Sequence, residues 1–377
     1  MANKQKLIRT STVPTSLKTF FAGSIEPLLE RYELVLVSSP DKELEEMHQQ
    51  YGVKTVAVPM ERRMAPLKDV KSLFKLISVF RSERPYMVHS MTPKAGLLCM
   101  MAAWITRVPR RVHTFTGLVW PTATGLSRRI LMFTDWLTCA CATHVIPEGQ
   151  GVMHDLQSIT SKSMRVLGYG NVRGVDMDFY RRENADTDVM MRWSNKDRFT
   201  FIFVGRIVRD KGINELVEAF MRVHKKHKVR LLLVGRFEDL LDPISDDARG
   251  QIDSCADIVY VGSQYGKNLL ACYAVADCFV FPSYREGFPN TVLEAGAMGL
   301  PSIVTDINGS REIIENEQNG LIVPSKSVDE LARAMERMLL EPTRREEMAN
   351  NARPLIASRF EQGFVRKCMF DFYDEIM

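Results

Sequence analysis

The sequence predicts an α/β protein made of two doubly wound halves, each a mostly parallel sheet with helices on both faces. Three observations carry this reading. Short apolar runs of strand length alternate with longer helix-period runs along most of the chain, the pattern of repeated βα units. The alternation stops in a polar, charged stretch that ends at Arg198 and then restarts. In the second half, strand-like runs lead into loops rich in Gly and Pro that open helices, as at a ligand-binding crevice at the carboxyl ends of parallel strands.

Taken in order, a strand-like segment follows Met-Ala-Asn-Lys-Gln-Lys. Further strand-like runs fall at Leu34–Val37, Thr55–Val58, Met87–His89, Val112–Phe115, Thr143–Ile146 and Met164–Leu167, with helix patterns such as Leu67–Arg81 and Lys94–Thr106 between them. A Gly-rich turn from Gly168 to Gly174 leads into the polar stretch. The second set runs Thr200–Val204, Leu231–Val234, Val259–Val261, Phe279–Phe281, Ser302–Val304 and Leu321–Val323, and the amphipathic helix Ile213–His227 follows the first of these. Two Rossmann-like domains facing across a cleft are implied, residues 1–180 and 181–359.

Composition agrees. A chain of 377 residues favours two domains over one, and 45% apolar with 25% charged residues describes an ordinary globular protein. No apolar run reaches the roughly 18 residues that span a bilayer, and no signal-peptide core opens the chain. The seven cysteines are scattered with no Cys-x2-Cys pair, which suits a reduced cytoplasmic compartment. The net charge of +4 hides an asymmetry: 23 Lys and Arg stand against 13 Asp and Glu over residues 1–175, and 27 against 33 over the remainder. A basic first half predicts an anionic partner there. It lacks clustered aromatic platforms or a recognition motif, which argues against nucleic acid.

The chemistry concentrates between Asp277 and Pro301. Cys278–Phe281 suits a strand buried on both faces, the chain breaks at Pro282, Gly287 and Pro289, and a helix starts near Asn290. Glu286 falls on the loop at the strand's carboxyl end and Glu294 in the following helix. Backbone donors of Asn290, Thr291 and Val292 at a helix start suit a phosphate. Upstream, Thr200–Val204 runs into Gly205-Arg-Ile-Val-Arg-Asp-Lys-Gly212, where Arg206 offers a bidentate fork and Lys211 a compact charge, a pairing fit for a diphosphate.

The run Glu286-Gly-Phe-Pro-Asn-x3-Glu294-Ala-x-Ala-x-Gly-x-Pro301 closely resembles the Glu-x7-Glu signature of retaining, nucleotide-sugar-dependent glycosyltransferases of family four, which have the GT-B fold. The resemblance implies that Glu286 touches the donor sugar's hydroxyls, with Gly287, Phe288, Pro289, Asn290 and Thr291 around it, that Glu294 holds the ribose, and that Arg206 and Lys211 take the diphosphate. It places the base near Gly235–Asp239, which includes Arg236, and near Gly262–Gly266, with uridine the expected nucleoside. It implies a catalytic role for His113, in a segment that ends a strand and opens a loop. It also implies that a closing helix over about 360–377 packs back on the first domain. Asp176-Met-Asp178 matches the family's hinge turn, interrupted by Val172 and Arg173, rather than a metal motif. No metal or other cofactor is expected.

The first loop departs from the broad family pattern. Thr12-Val-Pro-Thr-Ser-Leu17 stands where many members have Gly-Gly, with Ser16 or Thr15 a possible helix cap. This start, and Val58-Pro-Met-Glu-Arg-Arg-Met-Ala-Pro66, resemble a subset that builds bacterial surface polysaccharides on a lipid diphosphate. Ser16, Arg62, Arg63, His89 and Lys94 are the acceptor candidates. Arg62, Arg63, Lys68, Lys71 and Lys75, interleaved with Leu67, Leu73, Phe74 and Ile77, form either a strip against an acidic membrane surface or an amphipathic helix packed on the sheet. The expected activity is transfer of a hexose from a UDP-sugar to a lipid-diphosphate-linked saccharide in capsule or other surface polysaccharide synthesis, at the inner face of the cytoplasmic membrane. A UDP-sugar 2-epimerase of the same fold, or a non-catalytic subunit of a polysaccharide assembly complex, are the alternatives.

Overall fold

A computed structural model describes residues 4–21, 23–61, 65–239 and 242–377. Among the described residues twelve strands form two sheets. The first sheet holds β1 (Lys6–Thr10), β2 (Glu33–Ser38), β3 (Lys54–Ala57), β4 (Met87–Met91), β5 (Arg110–Phe115) and β6 (His144–Pro147). The second holds β7 (Phe199–Val204), β8 (Val229–Val234), β9 (Ile258–Gly262), β10 (Cys278–Phe281), β11 (Ser302–Thr305) and β12 (Gly320–Val323). All pairings are parallel, in the orders β3-β2-β1-β4-β5-β6 and β12-β11-β10-β7-β8-β9. Each sheet therefore reverses its direction of winding once, between its first and fourth strands. That is the doubly wound Rossmann-like order, and two such units make the GT-B fold that the sequence predicts.

Strand composition explains the burial. β8, β10 and β11 are buried at every residue, as parallel strands covered by helices on both faces must be. The core of the first unit is two layers split by the sheet. Ile8, Val35, Val37 and Val88 face one layer, while Leu7, Leu34, Leu36, Met87 and Met91 face the other, following the two-residue period of a strand. Phe372, Tyr373 and Ile376 of the closing helix Gln362–Ile376 belong to this second layer.

The chain forms two compact units, Met1–Arg173 with Val365–Met377, and Gly174–Phe364. The division falls before residue 180 because Val175 already pairs with the second unit: its N–H donates to Phe360 O at 2.8 Å, and its carbonyl accepts from Gln362 N at 3.0 Å. Two other expectations need correction. Met164–Leu167 is not a strand; Met164 makes a single bridge to Val145 before Gly168, in the left-handed region at φ 55°, turns the chain away. Neither Thr15 nor Ser16 caps a helix. Pro14 is itself the first residue of the helix Pro14–Phe21, where its missing N–H costs nothing, and the Thr15 hydroxyl instead donates to Glu43.

Candidate active site

The winding of the second sheet reverses between β7 and β10, and the loops that leave these two strands are the ones carrying the predicted cations and Glu286. After β7, Gly205 N–H donates to Val234 O at 2.9 Å and Ile207 N–H to Arg236 O at 2.8 Å, so this loop is zipped to the loop after β8. A Cβ on Gly235 would lie 1.7 Å from Gly205 O, which only glycine permits. Arg206 and Arg236 are thereby set side by side. Glu238 accepts from both, at 2.7 Å from Arg206 Nη1 and 2.9 Å from Arg236 Nη2.

Burial disfavours the Arg206 charge, but the bond to Glu238 and the carboxylates of Glu238, Asp210 and Glu286 outweigh it and raise its pKa above the ordinary value. Burial likewise works against ionised Glu238, yet Arg206 and Arg236 hold its carboxyl below the usual range.

Lys211 closes a short 3-10 turn, and Gly212, at φ 71°, redirects the chain into the helix Ile213–His224. That helix ends at His224, short of His227. The Lys211 ammonium is ion-paired with Glu286 Oε1, both side chains being mostly buried. The same oxygen accepts from Ser283 Oγ at 2.8 Å. The loop after β10 is anchored from several sides: Tyr284 N–H donates to Asp210 O at 2.9 Å, Arg285 Nη2 to Asp210 Oδ2 at 3.1 Å, and Thr305 Oγ1 to Ser283 O. Two groups 75 residues apart in sequence are thus brought into contact by rigid loops at one crevice.

Beyond Glu286 the chain is tightly packed. Gly287 and Pro289 are buried against Gly309, and the buried Phe288 ring lies 5.3 Å from that of Phe360. Pro289 precedes the helix Asn290–Ala297, and its carbonyl accepts from Val292 N–H at 3.1 Å. Asn290 and Thr291 are half-buried in the first turn, where helical N–H groups lack intrahelical acceptors. Glu294 is 6% exposed and accepts from the Tyr273 hydroxyl at 3.3 Å. Glu238, Ser283 and Tyr273 were not singled out by the sequence. Glu238 alone carried a signal, standing two residues after Arg236 in a strand-end loop.

The candidates in the first unit that fall among the described residues do not gather into one cluster. His113 lies within β5 rather than at its end, 1% exposed, with Nδ1 2.8 Å from Ser90 Oγ and its ring over Gly96, where a Cβ would come within 2.3 Å of Cε1. Burial pushes its pKa down to about 3, opposed in part by Ser90. His89 is fully buried too, bonded through Nδ1 to Arg9 and Tyr373 and through Nε2 to Thr114 at 2.7 Å. Burial, Arg9 and His113 all lower its pKa.

Lys94 Nζ lies 2.8 Å from Asp69 Oδ1, and Ser16 is half-buried on its helix. Arg62 and Arg63 lie outside the described residues. At the winding reversal of this sheet, Thr12 N–H donates to Thr92 Oγ1 at 3.1 Å, tying the loops after β1 and β4 together. Asp176 is explained by its turn, accepting from the N–H groups of Asp178 and Phe179. Among the described residues no group of three or more His, Cys, Asp or Glu side chains is arranged to hold a metal ion.

Residues 191–354 match the family described as glycosyl transferases group 1, and residues 20–167 match the glycosyl transferase 4-like domain. The capsular polysaccharide biosynthesis glycosyltransferase CapM of Staphylococcus aureus is 30% identical over 380 residues, covering 99% of this chain and 98% of that protein. The UDP-Gal:alpha-D-GlcNAc-diphosphoundecaprenol alpha-1,3-galactosyltransferase of Escherichia coli is 25% identical over 302 residues, 76% of this chain and 75% of that one. Among solved structures, Anabaena Alr3699/HepE in complex with UDP aligns with a TM-score of 0.79 at 16% identity, over 98% of this chain and 100% of that one. The fold is that of a two-domain glycosyltransferase. The chain belongs to the group 1 glycosyltransferase family, with a 4-like amino-terminal domain.

Proposed function

We propose that the protein transfers a hexose, with retention at the anomeric carbon, from a UDP-sugar to a hydroxyl of a lipid-diphosphate-linked saccharide in bacterial surface polysaccharide synthesis. The Lys211–Glu286 pair, with Arg206 beside it at the winding reversal of the second sheet, carries this reading. The two cations take the donor diphosphate and balance the charge that grows on it as the bond to the anomeric carbon breaks. The leaving diphosphate keeps the electron pair of that bond, and the acceptor hydroxyl attacks from the same face, passing its proton to a departing phosphate oxygen. Glu286, fixed by Ser283, orients the sugar, and Glu294 holds the ribose. Arg206, Lys211 and the helix start at Asn290 make a divalent ion unnecessary. The uridine choice draws on the UDP carried by HepE and named for the E. coli relative's donor, and the lipid-linked acceptor on that relative's name.

The acceptor side is read from the first unit. The helix Pro66–Glu83 packs inward through Leu76, Ile77 and Phe80, while Leu67 is 84% and Phe74 66% exposed beside Lys71 and Lys75. Helix Gly125–Cys141 likewise exposes Leu126, Phe133 and Trp136 beside Arg128 and Arg129. Both helices pack on Pro93–Ile105, so the two apolar, basic strips belong to one helical layer, suited to an acidic lipid surface where the acceptor resides. No helix among the described residues is long and apolar enough to cross a membrane.

Calorimetric titration with UDP, GDP and ADP, each with and without EDTA, tests the donor half. UDP is expected to bind best and to be indifferent to EDTA; preference for GDP or ADP overturns the uridine assignment. Donor conversion in the absence of any acceptor points to epimerisation instead of transfer.

A further inference from the structure

The amino ends of β4 and β5 frame an open groove in the first unit, about 450 Å³ in volume. It lies at the opposite end of the sheet from the loops that leave β1 and β4 at the winding reversal. Buried Phe80, Pro85 and Val108 line it from the core side, and Arg81, Arg84 and Arg107 are exposed along it. Among the described residues no Asp or Glu lines the groove, and no acceptor holds any of the three guanidinium groups. The nearest carboxylate in sequence, Glu83, is already taken by Lys6 at 3.0 Å and Lys54 at 2.6 Å.

A cation near a helix carboxyl end is favourable in itself. The backbone at these two ends, however, calls for a different residue. Arg84 closes Pro66–Glu83 at φ 48°, its N–H donating to Phe80 O at 3.0 Å. Arg107 lies just past Pro93–Ile105 at φ 58°, its N–H donating to Trp104 O at 3.1 Å. Left-handed helix ends of this kind are the ordinary place of glycine. Arginine stands at both, and both side chains line the same groove. Left-handed residues other than glycine cluster where a site needs the side chain.

We infer that this groove is a phosphate-binding site, sharing no residue with the donor or acceptor candidates. Phosphate oxygens accept paired N–H groups from the arginine forks, with no carboxylate lining the groove to repel them. The ligand is a phosphomonoester or phosphodiester. Leu67, Phe74 and Arg81 recur at one helical face and are all exposed, and exposed Trp104 and Ile105 stand just ahead of Arg107 in the chain. An acidic lipid headgroup can therefore supply the phosphate, as can a small soluble molecule.

The test is calorimetric titration of the full chain with inorganic phosphate, in a Lys211→Ala background that removes a donor-site cation. Saturable binding is expected. Arg84→Gly and Arg107→Gly should each weaken it roughly tenfold, the loss of one charge-assisted hydrogen bond. Glycine takes both backbone conformations without strain, so the melting temperature should hold and lost binding is not lost structure. Arg81→Gln, at an exposed helical position, gives a further reading that leaves both turns untouched. Arg128→Gln combined with Arg129→Gln removes two charges elsewhere in the first unit and should leave phosphate affinity unchanged.

No saturable binding, or an equal loss in the Arg128 and Arg129 control, overturns the site and leaves a solvated basic surface. Co-sedimentation with phosphatidylglycerol against phosphatidylcholine vesicles separates the sources. Loss of binding to the anionic vesicles when Arg84→Gly and Arg107→Gly are combined assigns a lipid headgroup. Vesicle binding that is absent or unchanged, with weakened phosphate binding, assigns a soluble phosphate compound.

Discussion

Ser283 has one hydroxyl proton and three oxygens within reach: Asp210 O at 3.3 Å, Arg285 O at 3.2 Å and Glu286 Oε1 at 2.8 Å. The proton goes to the nearest and most charged of them, which makes Ser283 the residue that fixes the Glu286 carboxylate against Lys211. Ser283→Ala should lower kcat about tenfold, the equivalent of one hydrogen bond to a charged group, while UDP affinity stays unchanged. An equal loss in both would mean that the loop, and not the carboxylate, had been disturbed.

Glu286→Ala should cost turnover far more than nucleotide affinity, whereas Lys211→Ala should weaken UDP binding as well as turnover; calorimetry beside a transfer assay separates them. These residues differ in how well the sequence announced them. Glu286 and Lys211 sit in Gly- and Pro-punctuated runs at strand ends, a setting that marks ligand loops. A lone Ser or Tyr carries no such mark, so Ser283 and Tyr273 became visible only through their distances to Glu286 and Glu294.

At the scale of elements, β4 and β5 each bury one imidazole, His89 bonded to Tyr373 and His113 over Gly96, and each is held neutral. His113 has a folded pKa of about 3, below the ordinary unfolded value near 6.5, and that of His89 is lowered as well. The unfolded chain therefore takes up protons that the folded chain refuses. The stability involved is fully present above that unfolded value and is lost as pH falls from it towards the folded one. Between pH 7.5 and 5.5 His113 should cost about 1.4 kcal/mol, with His89 acting in the same direction. Urea unfolding can follow this by tryptophan fluorescence, since Trp104, Trp120 and Trp136 all lie in the first unit. A midpoint that does not move over this range would contradict the buried neutral state.

Strand position also explains why His113 was expected at a strand end. Apolar runs locate a strand well and its last residue poorly, and two residues separate a loop imidazole from a core one. The same fuzziness produced the extra strand at Met164–Leu167, whose apolar pattern serves one bridge and a buried Leu167. On the other sheet, the zipped loops after β7 and β8 depend on Gly235. Gly235→Ala pushes a methyl into Gly205 O, and should displace Arg206 and weaken UDP binding at least tenfold, roughly one charge-assisted contact. Unchanged UDP affinity in a folded variant would remove this loop crossing from the donor site.

At the scale of the whole molecule, both units carry the same strand order, and that order was legible because βα alternation leaves few topologies open. What the alternation could not reveal is the pathway of the chain's end. Val365, Phe372, Tyr373 and Ile376 are all buried, the last three in the layer that also holds β1 and β2 side chains. Burial of such side chains contributes about 1.5–3 kcal/mol each, together comparable to the stability of an entire domain. A chain ending at Phe364 should therefore lose the cooperative unfolding of the first unit, while the second unit still resists protease. Intact first-unit fragments after limited proteolysis of that truncation would show that the closing helix is dispensable.

This path has a consequence for the order of synthesis. Domains ordinarily fold as they leave the ribosome, the amino-terminal one first. Here the first unit to be translated cannot close its core until Val365–Met377 have emerged, whereas Gly174–Phe364 is already complete. During translation the nascent protein holds a finished second unit and an unfinished first unit with Leu17, Phe21 and Leu36 uncovered. Emergence of Val365–Met377, rather than of the first domain boundary, is the moment at which that apolar surface disappears.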